Sequence, residues 1–299
     1  MLKLEHVTKY YGDFRAVNDL SFEIKEGEIF GLLGVNGAGK TTTFRMIMGL
    51  LDKTEGNITL DGKPIDYSVT DKIGFLTEER SLLPTKTVLE QAIFYCVLKG
   101  MDEKTIEEKL DYYLKEFKIT EYKNKKIKEL SKGNQQKIQF IISIIPEPKL
   151  LILDEPFSGL DPINVEMFKK EILRLKENKT MIIFSSHMME HIEYFCDSLV
   201  ILVKGSAVLE GKLVDIKKEY RKKNIIVNGD IDTEKIKKIK GVENIEKNKN
   251  EYTIKISDSS IVDNVFKEVS KCKNISKFVV EEPTLNEIFV SKVGEAYEK

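Results

Sequence analysis

The stretch Gly34-Val35-Asn36-Gly37-Ala38-Gly39-Lys40-Thr41-Thr42 decides the fold of this chain. It fits the pattern G-x-x-x-x-G-K-[ST], in which a glycine-rich loop surrounds the phosphates of a nucleotide. An apolar run over 28–33 precedes it, and a segment with apolar residues at helical spacing follows over 43–50. We therefore predict a strand, a phosphate-binding loop and a helix in that order, which is the setting that the motif requires.

The residue types in this loop suit phosphates and a metal ion. Glycines let successive backbone N–H groups point at a phosphate, and the helix N-terminus adds a partial positive charge. Lys40 is expected to reach the β- and γ-phosphates, and the hydroxyl of Thr41 is expected to ligate Mg²⁺. The alternative is a glycine-rich turn without a ligand, which requires the pattern and both flanks to coincide by chance.

Composition narrows the class of protein. The chain has 299 residues, enough for one large domain or two smaller ones, and a net charge of −1, which implies no general attraction to nucleic acid. Its cysteines, Cys96, Cys196 and Cys272, are scattered and predict neither a zinc site nor a disulfide framework. We expect no signal peptide and no membrane-spanning segment, because no apolar run approaches 18 residues.

An antiparallel β region is predicted before the phosphate loop. Tyr11 lies in its first turn, where the ring could stack on a nucleobase or simply pack at the sheet edge. After the loop we predict further strands over 56–60 and 72–76 and then two amphipathic helices over 87–99 and 102–117. The early strands are predicted over 1–8, 14–17 and 20–24, with a turn at Asn18-Asp19.

A second helix terminus suited to an anion follows these helices. Ser131 is predicted to cap the helix, and Gly133 leaves its backbone N–H groups open. Lys132 is a cation at a helix N-terminus, which is unfavourable unless an anion binds there. Local physics does not separate this hypothesis from a plain capped helix with an exposed lysine.

Two apolar strands end in polar residues. The run 150–153 leads into Asp154, expected to hold Mg²⁺, and Glu155, expected to polarise an attacking water. The run 180–184 leads to His187, which can donate a hydrogen bond to a γ-phosphate. The carboxyl ends of such strands line the ligand crevice of doubly wound sheets. A helix is predicted from Asn164.

Together these motifs resemble the ATP-binding subunit of an ABC transporter over about residues 1–215. The resemblance implies an α/β P-loop NTPase fold of ABC type that hydrolyses ATP with Mg²⁺. It assigns adenine stacking to Tyr11, catalysis to Glu155 and His187, and metal binding to Thr41 and Asp154. ATP would be bound by the Walker A residues Gly34, Val35, Asn36, Gly37, Ala38, Gly39, Lys40, Thr41 and Thr42, and by the signature residues Ser131, Lys132, Gly133 and Asn134.

The same resemblance implies partners. Two such subunits, here expected as a homodimer, would face head to tail, so that each ATP lies between one P-loop and the other subunit's signature helix. Membrane-spanning permease subunits would hold the pair at the cytoplasmic face of the membrane, and no nucleic acid is expected. Transport is expected to be export. A soluble ABC-type regulatory ATPase that takes no part in transport is the alternative.

The chain departs from the family pattern in three places. Lys132 replaces the usual glycine of the signature, and Asn134 replaces the usual glutamine. A third position, normally a glutamine that ligates Mg²⁺, is matched by Glu78, with Glu79 as a one-residue shift. Glu78 would add a negative charge near the phosphates, and we hypothesise that Lys132 of the facing subunit partly balances it.

The tail is expected to form a separate domain. We place the ATPase domain at 1–217, with a helical insert at about 80–145, and a small α+β accessory domain at 218–299. The order strand, helix, strand, strand, helix, strand predicts a ferredoxin-like unit. A last helix follows with a capping pattern at Thr284 and Glu287. Docking or regulation is expected of this domain, because it contains no catalytic constellation.

Overall fold

A computed structural model describes residues 1–77, 81–220 and 223–298, and its contacts separate two units, Met1–Gly211 and Lys212–Lys299. The elements up to this division are β1 Leu2–Tyr11, β2 Phe14–Ile24, β3 Ile29–Gly34, α1 Lys40–Ile47, β4 Glu55–Leu60, β5 Lys63–Pro64, α2 Tyr67–Thr70, β6 Ile73–Leu76, α3 Val88–Val97, α4 Glu103–Glu116, α5 Lys132–Ile144, β7 Leu150–Asp154, α6 Pro162–Glu177, β8 Met181–Ser185, α7 Met189–Phe195, β9 Ser198–Val203 and β10 Ser206–Lys212.

The apolar runs form a sheet in the order β10-β9-β3-β8-β7-β6. Pairing is parallel from β9 through β6. Every residue of β3, β8 and β9 is buried, as expected for parallel strands covered on both faces. The α/β prediction is confirmed, and the carboxyl ends of β3, β7 and β8 meet at one edge of the sheet.

The alternating segments form an antiparallel sheet in the order β2-β1-β4-β5. The predicted turn at Asn18-Asp19 is wrong, because β2 runs through it as a single strand. Asp19 has a positive φ of 48°, its N–H donates to Thr8 Oγ1 at 3.0 Å, and the register with β1 shifts nearby. A β-bulge therefore uses the turn-forming residues without ending the strand.

The segment predicted as the helical insert contains α3, α4 and α5. Thr87 and Glu90 form a capping box at α3, and Asp102 caps α4, so both predicted helices are present. Helix α6 begins at Pro162, two residues before the predicted Asn164. The carboxylate of Asp161 accepts the Asn164 N–H at 2.9 Å, and proline suits the first helical position.

The elements of the second unit are α8 Leu213–Glu219, β11 Lys223–Asp230, α9 Thr233–Lys237, β12 Val242–Asn248, β13 Glu251–Ile256, α10 Val262–Val269, β14 Lys273–Glu281 and α11 Leu285–Glu298. Its four antiparallel strands pair in the order β12-β13-β11-β14. This is the split arrangement that the predicted strand and helix order requires. The capping pattern at α11 is present, since Glu287 N–H donates to Thr284 Oγ1 at 3.2 Å.

Candidate functional site

The loop between β3 and α1 has a backbone that only glycine accepts easily. Gly37 and Gly39 have φ values of 77° and 106°. A Cβ on Gly39 would lie 2.7 Å from the backbone oxygen of Ala16, so even a methyl group would clash there. In this fully described stretch no side chain caps α1 and its first turn carries no acidic residue. The N-terminal N–H groups of α1 are thus left for an external anion.

Lys40 lies over this loop. Its Nζ donates to the carbonyl of Gly34 at 2.6 Å and to that of Val35 at 3.3 Å. The ammonium group is therefore at the centre of the loop, beside the open N–H groups. Phosphate oxygens entering the loop would offer Lys40 charged acceptors, which form stronger hydrogen bonds than carbonyls do.

One cavity of about 460 Å³ gathers most of the predicted site residues. It lies at the carboxyl ends of the parallel strands, where the fold class places its ligands. Gly34 and Val35 do not line it but carry the carbonyls that hold Lys40. The lining consists of Tyr11, Phe14, Ala16, Asn36, Gly37, Ala38, Gly39, Lys40, Thr41, Thr42, Asp154, Glu155 and His187.

The catalytic candidates come from neighbouring strands. Asp154 ends β7 opposite Ser185 of β8, and the Glu155 N–H donates to the Ser185 carbonyl at 3.0 Å. Glu155 has a φ of 49°, a strained value for a residue with a side chain. Its side chain is 15% exposed, and its Oε1 lies 3.6 Å from His187 Nε2, which is far more exposed. A partly buried carboxylate therefore lines the cavity beside an accessible imidazole.

Two aromatic rings line the other end of the cavity. Tyr11 and Phe14 are paired across the β1–β2 hairpin, and both are exposed. The Nζ of Lys9 lies 5.4 Å from the centroid of the Tyr11 ring. Phe14 and Ala16 were not predicted. A signal for Phe14 existed, because a two-residue turn at Gly12-Asp13 places it directly opposite Tyr11.

The oxygen ligands proposed for Mg²⁺ are only partly described. Thr41 and Asp154 both line the cavity, and hydroxyl and carboxylate oxygens suit this ion. Glu78 and the alternative Glu79 lie outside the described residues. Within the described ranges no group of three or more His, Cys, Asp or Glu could hold a metal. A magnesium site that uses few protein ligands and the phosphates themselves fits this donor set.

The signature residues do not join this cavity. Ser131 caps α5, accepting the Asn134 N–H at 3.3 Å, and Ser131 and Lys132 are both exposed. None of the residues 131–134 lines the cavity around Lys40. A Cβ on Gly133 would lie 3.4 Å from the backbone oxygen of Gly159, which places the start of α5 against the loop before α6.

A larger cavity, of about 690 Å³, lies at the opposite end of the sheet beside the first residues of β7 and β8. Two of its cations, Arg174 and Lys109, pair with carboxylates. Arg174 forms two bonds to Glu171, at 2.6 and 2.9 Å, and burial raises the pKa of this carboxyl group. Lys109 pairs with Glu147 at 2.8 Å. Size alone does not mark the functional site, since the smaller cavity holds the groups suited to phosphate.

A P-loop, a carboxylate pair after β7 and a histidine after β8 define a P-loop ATPase of the ABC type. Comparisons with known proteins agree. The ABC transporter family profile matches residues 17–158, and a profile described as "ATP-binding protein DrrA1-3-like, C-terminal domain" matches 211–293. The chain is 47% identical over 298 residues to the uncharacterized ABC transporter ATP-binding protein YhaQ of Bacillus subtilis, covering 100% of both chains.

Two further comparisons extend this result. The linearmycin resistance ATP-binding protein LnrL of Bacillus subtilis is 35% identical over 219 residues, covering 72% of this chain and 70% of the relative. The dimeric structure of MJ0796, a bacterial ABC transporter cassette, superposes with a TM-score of 0.65 at 26% identity, covering 71% of this chain and 99% of that one.

The chain belongs to the family of ABC transporter ATP-binding proteins. It is an ATPase subunit that binds and hydrolyses ATP, and this hydrolysis powers transport through a separate membrane-spanning partner. Among the described residues, no helix is both long and apolar enough to cross a membrane.

Proposed function

We propose that the cavity around Lys40 binds Mg²⁺-ATP and that its lining residues carry out hydrolysis. The supporting observation is the meeting, in one cavity, of the P-loop with Asp154, Glu155 and His187, which are far apart in sequence. The open N–H groups of α1 and the ammonium of Lys40 hold the β- and γ-phosphates. Tyr11 stacks on the adenine, and Phe14 extends the same apolar wall.

Glu155 is the general base in this proposal. Its side chain is only 15% exposed and lines the cavity next to Asp154, so it can orient a water molecule and accept its proton as the water attacks the γ-phosphorus. His187 donates a hydrogen bond to the γ-phosphate. Mg²⁺, when bound by Thr41, Asp154 and Glu78, neutralises charge on the phosphates.

The second half of each site is supplied by another copy of the chain. Ser131, Lys132, Gly133 and Asn134 are solvent-accessible at the start of α5 and touch no phosphate site of their own subunit. The capped, N–H-bearing terminus of α5 suits the γ-phosphate bound by a facing subunit. A homodimer with two ATP molecules between its subunits follows. The solved cassette MJ0796, which this chain resembles, is described as dimeric.

The permease contact is proposed for the helical insert. Phe94 and Val97 near the end of α3, and Leu98 directly after it, are 54%, 44% and 68% exposed. Such a cluster of exposed apolar side chains is typical of an interaction surface. Together with the Glu78 loop it would bind a membrane-spanning partner and keep this chain, peripherally, at the cytoplasmic face of the membrane.

Export is the proposed direction of transport. One relative is named for linearmycin resistance, and resistance through transport requires movement away from the cytoplasm. The accessory domain, proposed at 218–299 beside an ATPase domain at 1–217, would serve docking or regulation. The match of residues 211–293 to the DrrA1-3-like C-terminal domain supports a distinct C-terminal domain.

Turnover by the purified chain, measured beside Glu155→Gln, tests the proposed mechanism. The native chain is expected to release phosphate from ATP only with Mg²⁺. The variant should keep native ATP affinity but lose at least ~100-fold in turnover, because the amide cannot accept the proton. Glu190→Gln, at an exposed position outside the cavity, is the matched control and should hydrolyse ATP normally. Native turnover in Glu155→Gln would contradict the proposal that Glu155 is the general base.

A further inference from the structure

Helix α5 carries a buried glutamine that contacts the loop after β7. Gln136 is 1% exposed and lies one turn after the helix begins at Lys132. Burying an amide is unfavourable unless its hydrogen-bonding groups find partners. The Nε2 of Gln136 donates to the backbone carbonyl of Pro156 at 3.2 Å. Its partner is therefore the residue that directly follows Glu155, the proposed general base.

Glu155 has a backbone conformation that a residue with a side chain rarely adopts. Its φ of 49° lies in the left-handed region, where the Cβ atom is crowded by the backbone. Such a conformation persists only when the surrounding structure holds it, and it is typical of functional sites. The contacts on either side of Glu155 therefore help to set the direction of its carboxylate.

Contacts from β8 and α5 hold this loop. At the start of the loop, the Glu155 N–H donates to the Ser185 carbonyl of β8 at 3.0 Å. Further along, the ring of Phe157 packs against that of Phe184, with 5.7 Å between the centroids. The amide of Gln136 binds the carbonyl that lies between these two contacts. Three successive residues of the loop are thus each held by a neighbouring element.

The Pro156 carbonyl explains why a polar side chain stands at this position of α5. Pro156 is buried, and a buried carbonyl that has no donor destabilises the folded state. A carbonyl can only accept hydrogen bonds, so its partner must carry a donor, as the amide of Gln136 does. The buried side chains of Ile138 and Phe140 on the same helix are apolar and could not replace it.

We propose that Gln136 is a positioning residue for ATP hydrolysis: by bonding to the Pro156 carbonyl, it holds Glu155 in the backbone conformation from which the carboxylate lines the proposed ATP site. The proposal rests on the proposed function of this site. Gln136 does not line the cavity itself, so it acts through Glu155. Its loss should therefore slow hydrolysis and leave the affinity for ATP unchanged.

The test uses the full chain with Gln136→Met, which keeps the length of the side chain but cannot donate. The kcat for ATP should fall roughly five- to tenfold, the change expected for loss of one neutral hydrogen bond, while KM stays native. A disturbed phosphate loop would raise KM instead. Ser143→Ala is the matched control and should keep native kcat, because the buried Ser143 hydroxyl donates within its own helix, to the Phe140 carbonyl at 2.7 Å.

Combination with Glu155→Gln separates positioning from general damage. If Gln136 acts through Glu155, then Gln136→Met should not lower the residual turnover of Glu155→Gln any further. An equal fold-loss in both backgrounds overturns the proposal, because the glutamine would then act without the general base. Native kcat in Gln136→Met alone also overturns it, as does a rise in KM without a loss of kcat.

A second variant keeps the test decisive if Gln136→Met does not fold. Gln136→Leu also lacks a donor, and the same outcomes apply to it. Failure of both variants to fold would assign Gln136 to the stability of the domain and would overturn the proposal. Native turnover in the single variant Glu155→Gln would instead contradict the proposed function itself.

Discussion

Two helix N-termini in this chain are suited to an anion, and their surroundings differ. Helix α1 begins at Lys40 without a side-chain cap, and its N–H groups face a cavity that also holds Asp154, Glu155 and His187. Helix α5 begins at Lys132, is capped by Ser131 and is exposed. The first terminus therefore lies beside proposed catalytic and metal-binding side chains of the same chain. The second lies outside the cavity around Lys40 and is open to solvent at Ser131 and Lys132, as expected if another subunit supplies the phosphate.

The lysines at the two helix N-termini also differ in their surroundings. Lys40 lies inside its loop, bonded to backbone carbonyls, in a place where a phosphate can take over those bonds. Lys132 projects from the exposed start of α5, where the helix dipole disfavours a cation. We interpret the first lysine as part of a prepared phosphate site and the second as one that is useful only when an anion arrives from outside.

The largest effect is expected at the exposed terminus. Ser131→Arg adds a bulky side chain where the facing subunit's γ-phosphate would lie. Turnover should fall by ~10²–10³-fold, the loss typical of removing a donor to a transition-state anion. Affinity of the isolated subunit for ATP should not change. Ser131→Thr, which keeps the helix cap, is the control and should retain most activity. A fall in monomer affinity measured by equilibrium dialysis would contradict the two-subunit site.

Lys40→Ala should affect the α1 terminus and lower the affinity for ATP. Losing charge-assisted hydrogen bonds to the phosphates is expected to weaken ATP binding by roughly 100-fold in the isolated subunit. Fluorescence titration with a nucleotide analogue measures this directly. Lys9→Ala, near the base end of the cavity, serves as the comparison and should have a much smaller effect. Similar ATP affinities for the two variants would contradict the proposal that Lys40 binds the phosphates.

Tyr11→Ala should weaken ATP binding by about tenfold, since stacking of a base on an aromatic ring is worth ~1–3 kcal/mol. The more exposed Phe14 should contribute less, so that Phe14→Ala shifts affinity by only a few-fold. Competition between ATP and triphosphate, which lacks the base, separates the base contribution from that of the phosphates. If Tyr11→Ala weakens triphosphate binding equally, the ring does not contact the base.

The smallest effect is expected from charge at Lys132. Lys132→Glu should weaken ATP-driven dimerisation more than Lys132→Ala, by an additional ~0.3–1 kcal/mol, which is two- to fivefold in the dimer dissociation constant. The difference should shrink at high ionic strength, because the site is exposed. Equal dimerisation of the two variants at low salt would end the idea that Lys132 balances charge in the closed site.

Local patterns in the sequence predicted most of the elements. Caps such as Ser131 and Asp102 act within one helical turn, and buried parallel strands are near-continuous apolar runs, so both are visible without the structure. The bulge at Asp19 was missed, because the same residue types favour a turn and a left-handed bulge. The start of α6 was placed two residues late, because the capping role of Asp161 was not weighed.

In the candidate site, too, local features were predictable from the sequence, whereas features that depend on the whole fold were harder to predict. The P-loop is one contiguous segment, so its geometry follows from its residues. Strand order is a property of the whole sheet. The meeting of Asp154 and His187 with this loop was therefore expected from the general rule on the carboxyl ends of parallel strands and from the family resemblance, and not from any local pattern.

The most direct test of the two-subunit site is sedimentation of Glu155→Gln, which should hold ATP without cleaving it. With Mg²⁺-ATP the chain is expected to sediment as a dimer that retains two nucleotides, and without ATP as a monomer. Adding Ser131→Arg should abolish the dimer while each monomer still binds ATP with the affinity of the single variant. A dimer that persists with Ser131→Arg, or a dimer equally stable without ATP, would contradict the account.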